Sequence, residues 1–314
     1  MPSIDERVGP SDGAGRAGPQ PVDERVYVAP GIALHVRRWP GELQPFLLVH
    51  GLSSNARLWD GVARVLSAAG HPVTAVDLRS HGESDAPPDG YDTATAAEDL
   101  ATLGIRDAVV AGQSWGGNVV VSFAARHPEL VAALALVDGG WLAPSTEFSS
   151  WEACEAALRP PEIDGLPAAQ LRRYLRDTHP DWSAEALAAT EANLRVWPDG
   201  SLSRRLSIDR HMRIVRSMWD DPPQPYYPAI QVPVLLIPAL PGDARQADGR
   251  RARVEAATRA LSDATIREYP GADHDLHAQH PTELARDLLG LADRAADRSG
   301  SPRGVGRAEP DGSS

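Results

Sequence analysis

Cysteine occurs once in this chain, at Cys154, and lysine does not occur at all. A single thiol leaves no disulfide framework and no thiolate metal site, and it suits a reducing compartment. All 31 basic residues are therefore arginine, spread over the whole length, a pattern of coding bias rather than of chemistry. Set against 43 acidic residues they leave a net charge of -12, which argues against nucleic acid or an anionic membrane surface as partner. Long hydrophobic runs are missing too. None approaches the roughly 18 residues needed to cross a bilayer, and the N-terminus has no apolar core of the signal-peptide kind, so the expectation is a cytoplasmic protein with no membrane partner.

What is present suits one large domain, or a domain carrying an inserted subdomain: 314 residues, 42% hydrophobic and 24% charged. Residues 1–21 and 298–314 are rich in Gly, Pro, Asp and Ser without hydrophobic period, and are expected to be disordered tails. Val26–Val28 and Ile32–Trp39 read as an antiparallel edge hairpin. Phe46–Val49, Pro72–Val76 and the run into Gly112 read as buried strands, separated by helical patterns near residues 58–69 and 93–103. Alternation of this kind implies a mostly parallel sheet covered on both faces, with ligands beyond the carboxyl ends of the strands.

The stretch from Val109 to Val121 is the most informative. An apolar strand stops at Gly112 and a helical pattern resumes after Asn118, so the chain must reverse within a few residues, with Ser114 at the apex of Gly112-Gln113-Ser114-Trp115-Gly116. Flanking glycines allow strand and helix to approach closely. The serine can then take a strained conformation that lifts its hydroxyl beside the helix N-terminus, where negative charge is favoured. The competing reading is that a five-residue pattern with two glycines arises by chance.

Three motifs at successive strand ends resemble the α/β-hydrolase superfamily: His50-Gly51 after the third strand, Asp77-Leu78-Arg79-Ser80-His81-Gly82-Glu83-Ser84-Asp85 after the fourth, and the Ser114 bend after the fifth. Ser80 stands where that family usually has glycine. The resemblance implies an α/β-hydrolase fold, a mostly parallel eight-stranded sheet flanked by helices, with a core of residues 22–140 and 230–297 and a helical cap inserted over 141–229. It further implies a triad met in the order serine, acid, histidine. His274, just past the expected last strand Thr265–Tyr269, matches the family's histidine, making it general base towards Ser114. His277 and His280 follow closely, and with Asp273 and Asp275 their spacing also suits a metal, although the hydrolase motifs explain the region without one. The orienting acid is Asp138 at the end of the sixth strand or Asp243 in the seventh-strand loop. Both stay open, with the lean towards Asp138. Backbone N–H groups of Leu52 and Trp115 are the expected oxyanion donors.

In the 141–229 segment the strand pattern gives way to helical period, as over residues 168–176 and 184–194. Its aromatics suggest a roof, with Trp141, Trp197 and Trp219 as candidate substrate contacts, though packing alone explains many of them. The expectation is a cofactor-independent, metal-free serine hydrolase of a small hydrophobic ester or lactone. A C–C bond hydrolase or thioesterase shares the same constellation. A non-catalytic small-molecule-binding protein on the same fold is the reading from another class. The oligomeric state is not legible.

Overall fold

The computed structural model describes residues 18–300, so the tail readings for residues 1–17 and 301–314 lie outside the described residues, whereas 298–299, read as the start of the C-terminal tail, are instead the last residues of a helix, where Arg298 bonds to Asp263. Eight strands form one sheet: β1 (Val22–Ala29), β2 (Ile32–Trp39), β3 (Phe46–Val49), β4 (Val73–Val76), β5 (Ala108–Gln113), β6 (Val131–Val137), β7 (Val234–Ile237) and β8 (Ala264–Ile266). Their spatial order is β1-β2-β4-β3-β5-β6-β7-β8. Only the β1/β2 and β2/β4 pairings are antiparallel.

The central strands are apolar at almost every position because both faces are covered. Period-2 alternation divides their side chains between two cores. Leu47, Val49, Val110, Leu134 and Leu236 face one core, which also holds Ala97 and Leu100 of α2 (Thr93–Thr102) and Val120 and Phe123 of α3 (Trp115–Arg126). Phe46, Leu48, Val109, Val137 and Ile237 face the other, against Val62 and Leu66 of α1 (Asp60–Ala68) and Leu284 and Leu288 of α9 (Pro281–Ser299). Each such side chain withdrawn from water contributes about 1.5–3 kcal/mol.

The winding of the chain reverses where β3 and β5 lie side by side, and loops leaving the ends of these two strands diverge there to open a crevice. The loops beginning at His50 and at Ser114 border it. Among the described residues, five other than glycine have positive φ: Ser53, Ser80, Asp107, Ser114 and Asp138. All but Asp107 lie in loops just beyond the carboxyl ends of β3, β4, β5 and β6. Backbone strain is thus gathered at the edge where the site is expected.

Two local expectations need correction. The 141–229 segment is not purely helical. Between α6 (Ala184–Glu191) and α7 (Ile208–Asp220) it forms an antiparallel hairpin, Leu194–Val196 on Leu202–Arg204. Helix α6 therefore stops three residues before Leu194. The cause is the turn at Pro198-Asp199-Gly200, where the Asp199 carboxylate accepts from the Ser201 N–H and hydroxyl, and Gly200 takes φ 82°. The last strand is also split, with Ala264–Ile266 pairing to β7 and Tyr269–Pro270 pairing separately to Ala239–Leu240. Helices α4 (Trp151–Leu158) and α5 (Ala168–Thr178) complete the inserted segment. Among the described residues no helix is long and apolar enough to cross a membrane.

Candidate active site

Ser114 occupies the bend between β5 and α3 with φ 54° and ψ −124°, a conformation that costs an ordinary L-residue about 1–3 kcal/mol. The surroundings enforce it. A Cβ on Gly112 would come within 2.2 Å of the Gly116 carbonyl oxygen, and one on Gly116 within 2.4 Å of the His50 carbonyl oxygen. No side chain fits at either place, so strand, bend and helix pack at backbone contact. The Ser114 N–H donates to the Val137 carbonyl at 2.9 Å, pinning the bend to the end of β6. Its hydroxyl does not cap the helix, so it stays out of the helix's own bonding.

His274 stands in the loop after Tyr269–Pro270. Its Nδ1 donates to Asp138 Oδ2 at 2.6 Å, and its carbonyl accepts from the Gln113 side-chain amide at 3.1 Å. The residue next to the serine thus holds the histidine's backbone while Asp138 holds its ring. Desolvation by the surrounding atoms works to lower the basicity of His274, whose side chain is still 51% exposed, but the Asp138 hydrogen bond and charge, helped by Asp275, outweigh it and raise its pKa above the ordinary 6.5. Asp138 is buried, its side chain 2% exposed, and Oδ1 also accepts the Ala239 N–H at 3.2 Å.

Asp243 does something else. It N-caps α8 (Ala244–Ala260), accepting the Gln246 N–H at 2.9 Å, and does not bond to His274. His277 and His280 do not gather with His274 around a common point. His277 is fully buried against Trp59, ring centroids 4.6 Å apart, neither ring nitrogen has a hydrogen-bond partner among the described residues, and burial pushes it down to about 3. Asp273 instead accepts from His179 and Trp182, both at 3.0 Å. Among the described residues no three His, Cys, Asp or Glu side chains form a metal-ligand group.

His50 and His81 are consumed by their loops. His50 Nδ1 donates to the Gly51 carbonyl and Nε2 accepts the Leu78 N–H, while His81 Nδ1 donates to the Arg79 carbonyl and Nε2 accepts the Ser53 N–H. Burial lowers the basicity of both, His81 to about 3. These bonds shape the loop that presents Leu52. Among the described residues, neither the Leu52 nor the Trp115 main-chain N–H is given a protein acceptor.

Leu52, Trp115 and Ser114 line one cavity of about 330 Å³, whose other walls are Leu142, Pro144, Glu147, Phe148, Leu158, His211, Val215 and Met218 of the inserted segment. The tryptophans named from sequence are elsewhere. Trp141 is buried in the core beside α3, Trp219 packs edge-on against Trp151, and Trp197 lies at the hairpin, 44% exposed, under Arg195. The bulk of Trp141 and Trp219 fills packed interfaces, whereas the inserted segment lines the cavity with smaller side chains.

A family model described as the alpha/beta hydrolase family matches residues 46–287. The chain belongs to the α/β-hydrolase family. Within that family, this hydrolase is 28% identical over 266 residues to 2-(acetamidomethylene)succinate hydrolase of Mesorhizobium japonicum, covering 83% of this chain and 92% of that protein. It is 37% identical over 130 residues to an esterase of Mycobacterium tuberculosis, a match covering 40% of this chain and 42% of the esterase. Among solved structures, an E-2-(acetamidomethylene)succinate hydrolase superposes with TM-score 0.69 at 24% identity, covering 87% of this chain and 99% of that one. A thioesterase domain from the curacin biosynthetic pathway superposes with TM-score 0.67 at 20% identity, covering 86% and 99%. At such identities these two likenesses speak for the fold alone.

Four residues of this hydrolase's site escaped the sequence reading. Gln113 was passed over inside the motif it belongs to, although its position beside Ser114 was the available signal. Glu147 and His211 lie in helical stretches with no motif. Arg250 bonds to Asp138, and nothing sets it apart among 31 arginines.

Proposed function

We propose that this α/β hydrolase cleaves carboxylic esters or lactones with an uncharged, apolar acyl or alcohol part through an acyl-enzyme. Ser114 Oγ attacks the carbonyl carbon as His274 Nε2 takes its proton. Asp138 holds the ring in the Nδ1–H tautomer and stabilises the imidazolium. The N–H groups of Leu52 and Trp115 receive the oxyanion, and His274 returns the proton to the leaving alkoxide. Water, deprotonated by the same imidazole, then releases the acid. The observation carrying this reading is the 2.6 Å bond from His274 to Asp138, with the His274 carbonyl held at 3.1 Å by Gln113, the residue next to the serine of the strained bend.

The apolar lining supports the substrate class. The Mesorhizobium relative is named for a succinate derivative, a dicarboxylate. Recognition of such a dianion calls for cationic partners. Here the one carboxylate lining the cavity is Glu147, and no arginine lines it. His211 is kept neutral by burial, its Nδ1 paired with the Ser53 hydroxyl at 2.9 Å and its Nε2 with the Leu158 carbonyl at 3.2 Å. The reading is therefore an uncharged substrate, not a dicarboxylate. The test is turnover of p-nitrophenyl butyrate and of a lactone, thioester and dicarboxylate panel by the wild type and Ser114→Ala. Equal rates for the two proteins would remove the serine mechanism, and preference for the dicarboxylates would remove the substrate class.

A further inference from the structure

The Asp138 carboxylate is shared between two donors of different kinds. Oδ2 accepts His274 Nδ1 at 2.6 Å and Arg250 Nη1 at 2.8 Å, while Oδ1 accepts the same Nη1 at 3.1 Å and the Ala239 N–H at 3.2 Å. Arg250 Nη1 also donates to the Ala239 carbonyl. A single guanidinium nitrogen therefore spans both carboxylate oxygens and ties the end of β6 to the chain just beyond β7. The Arg250 side chain is 27% exposed, against 2% for Asp138. Arg250 rides on α8, the helix capped by Asp243. The loop after β7, the other place considered for the acid, thus starts a helix that delivers a cation to the acid on β6.

We infer that Arg250 is a positioning residue for this triad: it clamps the Asp138 carboxylate in the orientation that receives His274 Nδ1, and its charge opposes formation of the imidazolium. The inference rests on the serine mechanism proposed above. The clamp acts through geometry, since Asp138 itself sits at positive φ (41°) and an unclamped carboxylate could rotate away from the ring. The charge acts through the field, because a guanidinium bonded to the same oxygen as the imidazole lies close enough to disfavour a second cation. Other charged or titratable groups facing His274 are Asp138 from the end of β6 and Asp275 and His277 from the residues that follow it, with His50 of the loop after β3 beyond His277. Asp273 and His179 lie one step further out, around Asp275. Asp138 and Asp275 favour the imidazolium, and Arg250 works against them.

The two roles separate by substitution. Arg250→Lys keeps the charge but its nitrogen stops one bond short of the Nη1 that clamps Asp138, while Arg250→Gln, two bonds short, loses the clamp and the charge together, so the difference between the two variants reads the charge. The measurement is the rate of inactivation of the full chain by a fluorophosphonate probe from pH 5 to 9, which needs no natural substrate. In Arg250→Gln the acid limb should move to higher pH by about one unit. In Arg250→Lys the limb should stay and the plateau should fall about tenfold, a loss expected of a displaced orienting group. An acid limb in Arg250→Gln at the wild-type pH, in protein with a wild-type melting curve, overturns the charge role. A wild-type plateau in Arg250→Lys overturns the clamp. Wild-type protein that the probe does not label overturns the serine mechanism itself, which a failure of the Arg250 variants alone would not do.

Discussion

The loops at the carboxyl edge of the sheet and the inserted segment above them meet at one cavity but are built differently. At the edge, polar groups are tied down: His50 and His81 spend both ring nitrogens on backbone, Asp138 accepts from His274, Arg250 and Ala239, and glycines bring backbones into contact. The inserted segment offers the cavity mainly apolar side chains on α7 and the turns around α4, together with the exposed Glu147. A reaction centre tolerates displacements of about half an ångström, which only a dense bonded shell enforces. An apolar roof needs volume and exclusion of water, which many side chains supply equally well.

The sharpest way to break this comparison is Ser114→Ala, expected to lower kcat by about 10⁶ with unchanged folding, measured as ester turnover and thermal melting. Next comes the acid. Asp138→Asn should cost about 10⁴ in kcat by removing the partner that fixes the His274 tautomer. Asp243→Asn should leave kcat near wild type, since asparagine caps a helix as well as aspartate does. Comparable losses in both would misplace the acid.

The pH profile follows from the direction of the His274 shift. The reactive imidazole is neutral, and its pKa is raised, so kcat/KM should climb with pH through a midpoint above 6.5. Asp138→Asn, through loss of the bond and charge that raise it, should move that midpoint down. A midpoint below 6.5 in the wild type would contradict the geometry.

Changes in the roof should be smaller and selective. Glu147→Arg should raise kcat/KM for an ester bearing a carboxylate by about tenfold relative to a neutral ester, one charge contact being worth roughly 1.4 kcal/mol. Glu147→Gln should do less in the same direction. Trp197→Ala, removing an exposed side chain outside the cavity, should leave kcat/KM within about twofold. A large loss there would mean the hairpin reaches the substrate.

The edge loops were legible because their signals are local. Gly112 and Gly116 around Ser114, or His50-Gly51 after an apolar run, specify a bend whose neighbours are a few residues away in sequence. The acid was half legible. Asp138 and Asp243 both follow a strand, and nothing within either segment reports which one faces a histidine far along the chain. The roof was misread for a physical reason: tryptophan is the side chain most expected in an aromatic pocket, yet its size also makes it the best filler between helices, which is where Trp141 and Trp219 went. The hairpin at Leu194–Arg204 hid behind helix-compatible residues, although its turn was written in Pro198-Asp199-Gly200.

Taken alone, the sequence determined the alternation of strand and helix as far as the serine, the two-faced burial of the sheet and the serine at its bend, because these follow from periodicity and from glycine sterics over short spans. Tertiary structure alone decided that Asp138 meets His274, that Arg250 joins them, and that Leu142, Phe148 and Met218 rather than Trp141, Trp197 or Trp219 line the cavity over the serine. Those are encounters between segments as much as 136 residues apart. Their distances are set by how helices pack on the sheet, a property no stretch of the chain carries by itself.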